Sequence, residues 1–167
     1  MVHILLLSLS FLVLFGFMTF CILRYGLKDC FSRYSYRWET APQALNWWSL
    51  DIIVSALLLM PLMLDLSVGS KWQFLGFLAP ISMLLVGFTP RWATNNAQYI
   101  VHNVGVVLAT LFSIAYAIII PKTVWLILIL GALAGIATLI YKKAFIFWLE
   151  IAMYGAIYGI LLNKLIN

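Results

Sequence analysis

Three ionisable side chains lie inside long apolar stretches of this sequence, and they are the residues best suited to do chemistry. They are Asp51, His102 and Glu150. A charged side chain at the centre of a membrane-spanning helix costs at least ~2.5–3.5 kcal/mol on insertion scales, so each one retained is a candidate functional residue. A carboxyl in such a place can exchange protons, and an imidazole can relay a proton or act as a general base.

The positions of these three residues predict a shared depth. Asp51 and Glu150 each lie about six residues into their apolar stretches, and His102 lies about three residues into its own. If the three stretches are helices that run in the same direction, the side chains lie at one level in the cytoplasmic half of the membrane. The sequence therefore predicts a polar pocket at that level, with further candidates from helical spacing or from the loop nearby: Ser55, Arg91, Asn103 and Tyr154.

The same three residues also fit a purely structural role. Asp51 can lie just below the headgroups, where a carboxylate costs little, and His102 can hydrogen-bond a facing helix. Glu150 can pair with Arg91 or His102 and hold the helices together. The two interpretations stay open at this point.

The composition predicts the elements that position these residues. Of the 167 residues, 65% are hydrophobic and only 9% are charged, whereas ordinary soluble domains carry about 25% charged residues. The mean hydropathy is +1.08. A soluble globule cannot cover its surface with so few charges. The net charge of +5 is spread between apolar stretches, a pattern that records membrane orientation and gives no reason to expect nucleic-acid binding.

The apolar stretches are long enough to be counted as membrane spans. A helix needs about 20 apolar residues to cross the hydrocarbon, and the stretches lack the alternation that is typical of barrel strands. We therefore expect one all-α domain, residues 1–167, that forms a polytopic bundle of about six transmembrane helices. The predicted spans are 2–23, 45–66, 72–88, 99–120, 123–141 and 144–163.

The basic residues between the spans predict the orientation. With the N-terminus outside, seven Lys and Arg residues fall in cytoplasmic segments and three fall outside, which favours both termini on the extracytoplasmic side of a cell or inner membrane. The longest loop, 24–44, is rich in Tyr, Arg and Trp. We expect it to lie along the headgroups, where Tyr34, Tyr36, Arg37 and Trp38 would touch lipid or a partner.

Small residues spaced four apart predict where helices pack. Gly131 and Gly135 in the fifth span, and Gly155 and Gly159 in the sixth, match a pattern that lets helix backbones approach closely. They predict internal packing, a homo-oligomer or a membrane partner. Apart from these contacts we expect membrane lipids as partners. Cys and His spacing matches no metal site, so no metal and no cofactor are expected.

One stretch, 84–109, has a family resemblance. It contains Gly87-Phe88-Thr89-Pro90, a short polar loop, and then His102-Asn103-Val104-Gly105. This order resembles the Gly-Phe-Pro, loop, His-x-x-Gly pattern of DRAM-like and related six-helix membrane proteins. The resemblance implies a six-helix bundle and a role for His102.

Three functions fit these residues. The first is a membrane protein whose polar pocket binds or transports a small molecule, a lipid or an ion. The second is an intramembrane lipid-processing enzyme, in which His102 is the general base, Asp51 or Glu150 orients it, and Ser55 or Thr89 is the nucleophile. The third is a non-catalytic accessory or assembly subunit of a membrane complex. The sequence favours the first because it offers no convincing nucleophile.

Overall fold

The protein is helical throughout the part that its computed structural model describes, which comprises residues 1–38, 46–90, 94–119, 124–141 and 144–166. These ranges contain six α-helices, one 3₁₀ helix and no strand. The α-helices are α1 (Val2–Tyr25), α2 (Trp47–Leu66), α3 (Leu75–Gly87), α4 (Asn96–Ile119), α5 (Val124–Tyr141) and α6 (Phe145–Ile166), and the 3₁₀ helix is Phe31–Trp38. The all-helical class is therefore confirmed.

Four of these helices, α1, α2, α4 and α6, are long and apolar enough to cross a membrane. Large apolar side chains are exposed along them and on α5, as expected of a surface that faces lipid. The other two helices are shorter, with 13 residues in α3 and 18 in α5. At ~1.5 Å per residue α3 alone does not reach across a hydrocarbon core of ~30 Å. The count of six crossings stays a prediction.

The helices pack in an order that encloses a central space. Neighbours in sequence pack side by side from α1 to α4, and α6 returns to contact α1 and, over a small area, α4. Helix α5 packs mainly on α6. Helices α2, α3, α4 and α6 and the 3₁₀ helix line the central space, and α1 and α5 lie outside it.

Glycines allow the closest helix contacts, but they are not the glycines that the small-residue pattern predicts. A Cβ on Gly76 of α3 would lie 2.8 Å from the Met63 carbonyl oxygen of α2, and one on Gly105 of α4 would lie 3.1 Å from the Val86 backbone nitrogen of α3. By contrast, no described atom lies within 4 Å of such a Cβ at Gly131 or Gly135 of α5. Their contact with another helix or partner stays a prediction.

Gly155 of α6 does take part in internal packing. A Cβ added there would lie 3.6 Å from the Cδ1 atom of Leu130 in α5, which is an ordinary van der Waals distance. The α5–α6 contact therefore tolerates a methyl group at Gly155, whereas the α2–α3 contact has no room for one at Gly76.

Different contacts mark the two ends of the bundle. At one end, His3 Nε2 of α1 and Asp65 Oδ2 of α2 lie 3.0 Å apart, with both side chains partly exposed. The 3₁₀ helix lies at the other end, where α1 and α3 finish and α2, α4 and α6 begin. These three helices therefore run in the same direction, as the depth argument for Asp51, His102 and Glu150 requires.

One side of the 3₁₀ helix is buried in the bundle; its position relative to the headgroups stays a prediction, and the side chains of Arg37 and Trp38 lie outside the part that the structure describes. The side chains of Phe31, Ser32, Tyr34 and Ser35 are buried, and Arg33 between them is exposed. This three-residue repeat is that of a 3₁₀ helix with one buried side. The Tyr34 hydroxyl donates a hydrogen bond to the Gly26 carbonyl at 2.7 Å. The prediction that Tyr34 touches lipid or a partner was therefore wrong, because this segment folds into the end of the bundle.

Candidate functional site

A set of hydrogen bonds, here called the polar layer, closes the end of the bundle at the 3₁₀ helix. It comprises the side chains of Ser32, Thr89, His102 and Glu150 and the backbone of Phe31. The His102 Nδ1 atom lies 3.1 Å from Thr89 Oγ1, and its Nε2 atom lies 3.2 Å from Ser32 Oγ. Ser32, Thr89 and His102 are all buried. The imidazole therefore joins the 3₁₀ helix, the residues after α3 and the second turn of α4.

The surrounding hydrogen bonds assign the protons of His102. The Thr89 hydroxyl donates to the Val86 carbonyl at 2.8 Å and to the Leu85 carbonyl at 3.1 Å. Since a hydroxyl has a single proton, Thr89 must accept its contact from His102 Nδ1–H. In a neutral imidazole, Nε2 then carries a lone pair and accepts a hydrogen bond from the Ser32 hydroxyl. Both ring nitrogens of His102 therefore have a partner.

Glu150 connects α6 to the same layer. Its Oε2 atom accepts a hydrogen bond from the Phe31 backbone N–H at 2.6 Å. Three residues earlier in α6, the Phe147 N–H donates to the Asp29 carbonyl at 3.0 Å. Within the described residues Glu150 forms no ion pair. The carboxyl therefore fixes the start of the 3₁₀ helix against α6.

Asn46 places α2 on the other side of the 3₁₀ helix. Its side-chain oxygen caps the helix by accepting from the Ser49 N–H at 2.9 Å, and its amide nitrogen donates to the Ser35 carbonyl at 3.1 Å. This cap sets the position of Trp48 in the first turn. The Trp48 ring is buried and lies 6.1 Å from the His102 ring, measured between centroids.

An elongated cavity of about 440 Å³ extends from the polar layer into the bundle. It lies between α2, α3, α4, α6 and the 3₁₀ helix. Along α2 it reaches from Trp48 to Met63, which corresponds to ~22 Å at the α-helical rise. Most of its wall is apolar, and its polar side chains are Ser32, Thr110, Ser113, Glu150 and Tyr154.

The cavity opens sideways between α4 and α6, where the two helices touch over only a small area. Val106 of α4 and Ile146 and Leu149 of α6 both line the cavity and are exposed on the outer surface. A molecule that enters there meets apolar side chains first. The opening therefore faces the surroundings of the helices and not the closed end at the polar layer.

A second polar region, here called the Asp51 seam, lies between α1, α2 and α6. It comprises the side chains of Ser10, Asp51, Ser55 and Tyr158. Ser10 Oγ donates to the Ser55 carbonyl at 3.1 Å and accepts from the Tyr158 hydroxyl at 2.5 Å. Asp51 is only 5% exposed, yet neither carboxyl oxygen has a hydrogen-bond partner among the described residues. The buried Ser55 hydroxyl has none there either.

The predicted pocket residues are thus divided between two places. Glu150 and Tyr154 line the cavity, and His102 lies behind its wall, held by Ser32. Asp51 and Ser55 do not line it and belong to the seam. The prediction that all three ionisable residues share one pocket is therefore not met by Asp51.

Two predicted pocket residues remain, Asn103 and Arg91, and the structure describes only Asn103. Asn103 is exposed on the outer side of α4 and does not line the cavity, because it follows His102 directly and a helix turns about 100° per residue. Arg91 lies outside the described residues. The cavity also extends well beyond the cytoplasmic half that the sequence predicts for it, since it reaches Met63 near the far end of α2.

The sequence analysis missed Ser32 and Phe31, which hold His102 and Glu150 in place. A signal for them is present in the sequence. Phe31 and Tyr34 are three residues apart, as are Ser32 and Ser35, and the basic Arg33 lies between these pairs. A repeat of three residues is that of a 3₁₀ helix. The segment is easily read as a surface loop because basic and aromatic residues dominate its composition.

The geometry does not supply the carboxylate that the enzyme hypothesis requires next to His102. Asp51 has no hydrogen-bond partner within the described ranges, and Glu150 bonds to the Phe31 backbone. Thr89, one predicted nucleophile, donates its proton to backbone carbonyls, and Ser55, the other, lies in the seam. Among described residues no three His, Cys, Asp or Glu side chains are grouped so that they could hold a metal ion.

Two residues near the 3₁₀ helix have perturbed acidity. Burial raises the pKa of Tyr34 to about 12, so its phenol keeps the proton that it donates to Gly26. Burial also raises the pKa of the Cys30 thiol, and the nearby Glu150 carboxyl adds to this effect. Both groups are therefore neutral at physiological pH.

Comparisons of the chain with protein-family models, with curated proteins and with solved structures find no match. The resemblance of residues 84–109 to DRAM-like proteins therefore stays a prediction.

Proposed function

We propose that this protein binds a single-chain amphiphile that enters from the lipid bilayer between α4 and α6. The observation that carries the proposal is the elongated, mostly apolar cavity with a sideways opening lined by Val106, Ile146 and Leu149. Its volume of about 440 Å³ lies within the range of ligand pockets, ~300–1,000 Å³.

The shape of the cavity favours a chain over a compact molecule. A volume of about 440 Å³ distributed over ~22 Å of helix length gives a long, narrow space. Its inner wall is made of apolar side chains such as Leu59, Met83 and Ile114. Burial of a hydrocarbon chain there costs no hydrogen bonds, and the chain can pass from the bilayer without crossing water.

The polar end of the cavity favours a ligand with a hydrogen-bond donor. Glu150 lines this end, and its carboxyl accepts hydrogen bonds. Ser32 also lines it, and because the Ser32 hydroxyl donates to His102, only its lone pairs are left for a ligand. Both groups therefore act as acceptors, whereas the Trp48 indole N–H, which lines the same end without a partner among the described residues, is a donor. The matching head group both donates and accepts, as a hydroxyl or a neutral amine does.

A pair of substitutions on α4 tests the cavity. Ala109 lines the cavity, whereas Val107 is exposed on the outside of the same helix. We expect Ala109→Phe to weaken binding of a photoreactive long-chain alcohol by at least about tenfold, or about 1.4 kcal/mol, because the ring occupies the space of the chain. Val107→Phe adds the same ring outside and should leave binding unchanged. Equal labelling of both variants and of the wild type would exclude the cavity as the binding site.

The head-group assignment has its own test. Glu150→Gln replaces the carboxyl by an amide of nearly the same size. We expect this variant to bind a long-chain amine at least about tenfold more weakly, while binding of a methyl-capped chain of the same length changes little. If the amine and the capped chain lose affinity equally, Glu150 shapes the cavity but does not recognise the head group.

We also infer six membrane crossings with both termini on the extracytoplasmic side. The inference is supported by the parallel direction of α2, α4 and α6 and by the 3₁₀ helix at their common end. The basic residues Arg24, Lys28 and Arg33 belong to that end of the chain, as the positive-inside rule predicts for the cytoplasmic side. Alkaline phosphatase fused after Asn167 should be active and a fluorescent protein fused there should be dark; the reverse result would contradict this orientation.

A further inference from the structure

Asp51 is a buried carboxyl that belongs neither to the cavity lining nor to the polar layer. It lies in the second turn of α2 and is 5% exposed. Neither of its oxygens has a hydrogen-bond partner among the residues that the structure describes. A carboxylate without partners in an apolar interior costs many kcal/mol, and such groups normally pair, bind an ion or become neutral. Some species must therefore satisfy Asp51.

The surroundings of Asp51 favour neutralisation by a proton. Among the described residues, the titratable side chains close enough to interact with it electrostatically are Cys21 of α1 and Tyr154 and Tyr158 of α6. A thiol and two phenols are neutral or negative, so none of them can balance a negative carboxylate. Asp51 forms no ion pair within the described ranges. Ser49 and Ser55 of the same helix each have a hydroxyl without a partner among the described residues, and both are neutral.

We propose that Asp51 is a proton-binding site: it holds a proton as a neutral carboxylic acid in the closed seam between α1, α2 and α6, and releases it when the seam opens to water. The site is separate from the cavity, because Asp51 does not line it. The proposal therefore does not depend on which ligand the cavity takes. On release, the O–H bond of the acid breaks, the proton passes to water, and the carboxylate keeps the electron pair.

Infrared difference spectroscopy of the purified protein at neutral pH tests the protonation directly. We expect Asp51→Asn to remove a carboxylic-acid C=O band from the spectrum, since the acid becomes an amide. Asp65→Asn is the matched control, because Asp65 lies in the same helix with its side chain 59% exposed and its carboxyl beside His3. This control should remove only the bands of an ionised carboxylate.

Two results would overturn the proposal. One is that Asp51→Asn removes only ionised-carboxylate bands. The other is that the spectrum of Asp51 changes when sodium is replaced by choline, which would assign an alkali cation to the seam in place of a proton. If Asp51→Asn does not fold, Asp51→Glu keeps the acid. Its carboxylic-acid band should then persist at a shifted frequency, and its disappearance would count against the proposal.

The pH dependence of unfolding gives an independent measurement. An acid that is protonated in the folded state and ionised in the unfolded state makes the folded protein bind one more proton, so stability falls as pH rises above ~4. As pH rises, the unfolding equilibrium constant of the wild type should therefore increase more steeply than that of Asp51→Asn. The difference between the two slopes should be at most about tenfold per pH unit. Identical slopes for wild type and Asp51→Asn would contradict the proposal.

Discussion

The polar layer and the Asp51 seam are two buried polar regions of one bundle, and they satisfy their hydrogen bonds differently. In the polar layer, both ring nitrogens of His102 have partners, and Glu150 accepts from the Phe31 backbone. In the seam, the Asp51 carboxyl and the Ser55 hydroxyl have none among the described residues. We therefore interpret the polar layer as a structural junction and the Asp51 seam as a site where a proton is exchanged.

This difference has an energetic meaning. A buried polar group with a partner contributes roughly 0.5–1.5 kcal/mol to stability, whereas one left without a partner costs roughly 1–3 kcal/mol. The polar layer therefore stabilises the fold, whereas the unpartnered Asp51 and Ser55 side chains of the seam destabilise it. Proteins keep destabilising groups where function needs them, so substitutions in the two regions should have opposite effects on stability.

The largest effect is expected in the polar layer. His102→Ala leaves the Ser32 hydroxyl without its acceptor and empties the space of a buried ring, so the variant should lose about 3 kcal/mol of unfolding free energy. Denaturant titration in detergent micelles measures this loss. Asn103→Ala, at the next and exposed position, should change stability by less than about 0.5 kcal/mol. A stable His102→Ala variant would remove the structural interpretation of the layer.

The opposite sign is expected in the seam. Asp51→Leu replaces an unpartnered carboxyl by an apolar group of similar size, so the variant should gain roughly 1–3 kcal/mol of unfolding free energy at neutral pH. The same titration measures it. A loss of stability in this variant would mean that Asp51 has a stabilising partner, and the contrast between the two regions would fail.

A smaller effect is expected at the edge of the polar layer. Tyr34→Phe removes the hydrogen bond to the Gly26 carbonyl but keeps the buried ring. The expected loss of unfolding free energy is about 1 kcal/mol. Because the phenol stays protonated up to pH values near its raised pKa of about 12, this loss should be the same at pH 6 and at pH 9. A loss that disappears at pH 9 would contradict the assigned donor.

The smallest effect concerns the reactivity of Cys30. The raised pKa of its thiol leaves little thiolate at neutral pH, so maleimide should label it more slowly than a free thiol, and the rate should increase as pH rises. Glu150→Gln should speed labelling by roughly threefold, since it removes a negative charge. Asp29→Asn, a weaker contributor to the same shift, should change the rate less. Cys30→Ser should abolish the signal, since Cys21 is fully buried.

The fold class was predictable because the hydrophobicity of a stretch depends only on its own residues and not on which helices it contacts. Runs of apolar residues predict the helices, and α1, α2 and α6 begin and end within a few residues of the predicted spans. The common level of His102 and Glu150 was also predictable, because rise per residue and direction fix depth. Both residues do contact the 3₁₀ helix.

Neighbour relations were not predictable, since they depend on which helix faces which. Asp51 and Glu150 are at similar depth but on different sides of the packing, so one belongs to the seam and the other to the cavity. For the same reason, the spacing of the glycines was a poor guide to where helices approach closely. Isolated Gly76 and Gly105 make close helix contacts, whereas Gly131 and Gly135 have the predicted spacing and open space beside them.

Mapping the attachment site of a photoreactive long-chain alcohol, by mass spectrometry of the labelled protein in lipid vesicles, tests the proposed binding cavity most directly. Our account predicts adducts on inward-facing cavity residues such as Met83, Ile114 and Met153. Adducts confined to outward-facing residues, such as Leu128 of α5 and Leu111 of α4, would show that the alcohol only dissolves in the surrounding lipid and would contradict it.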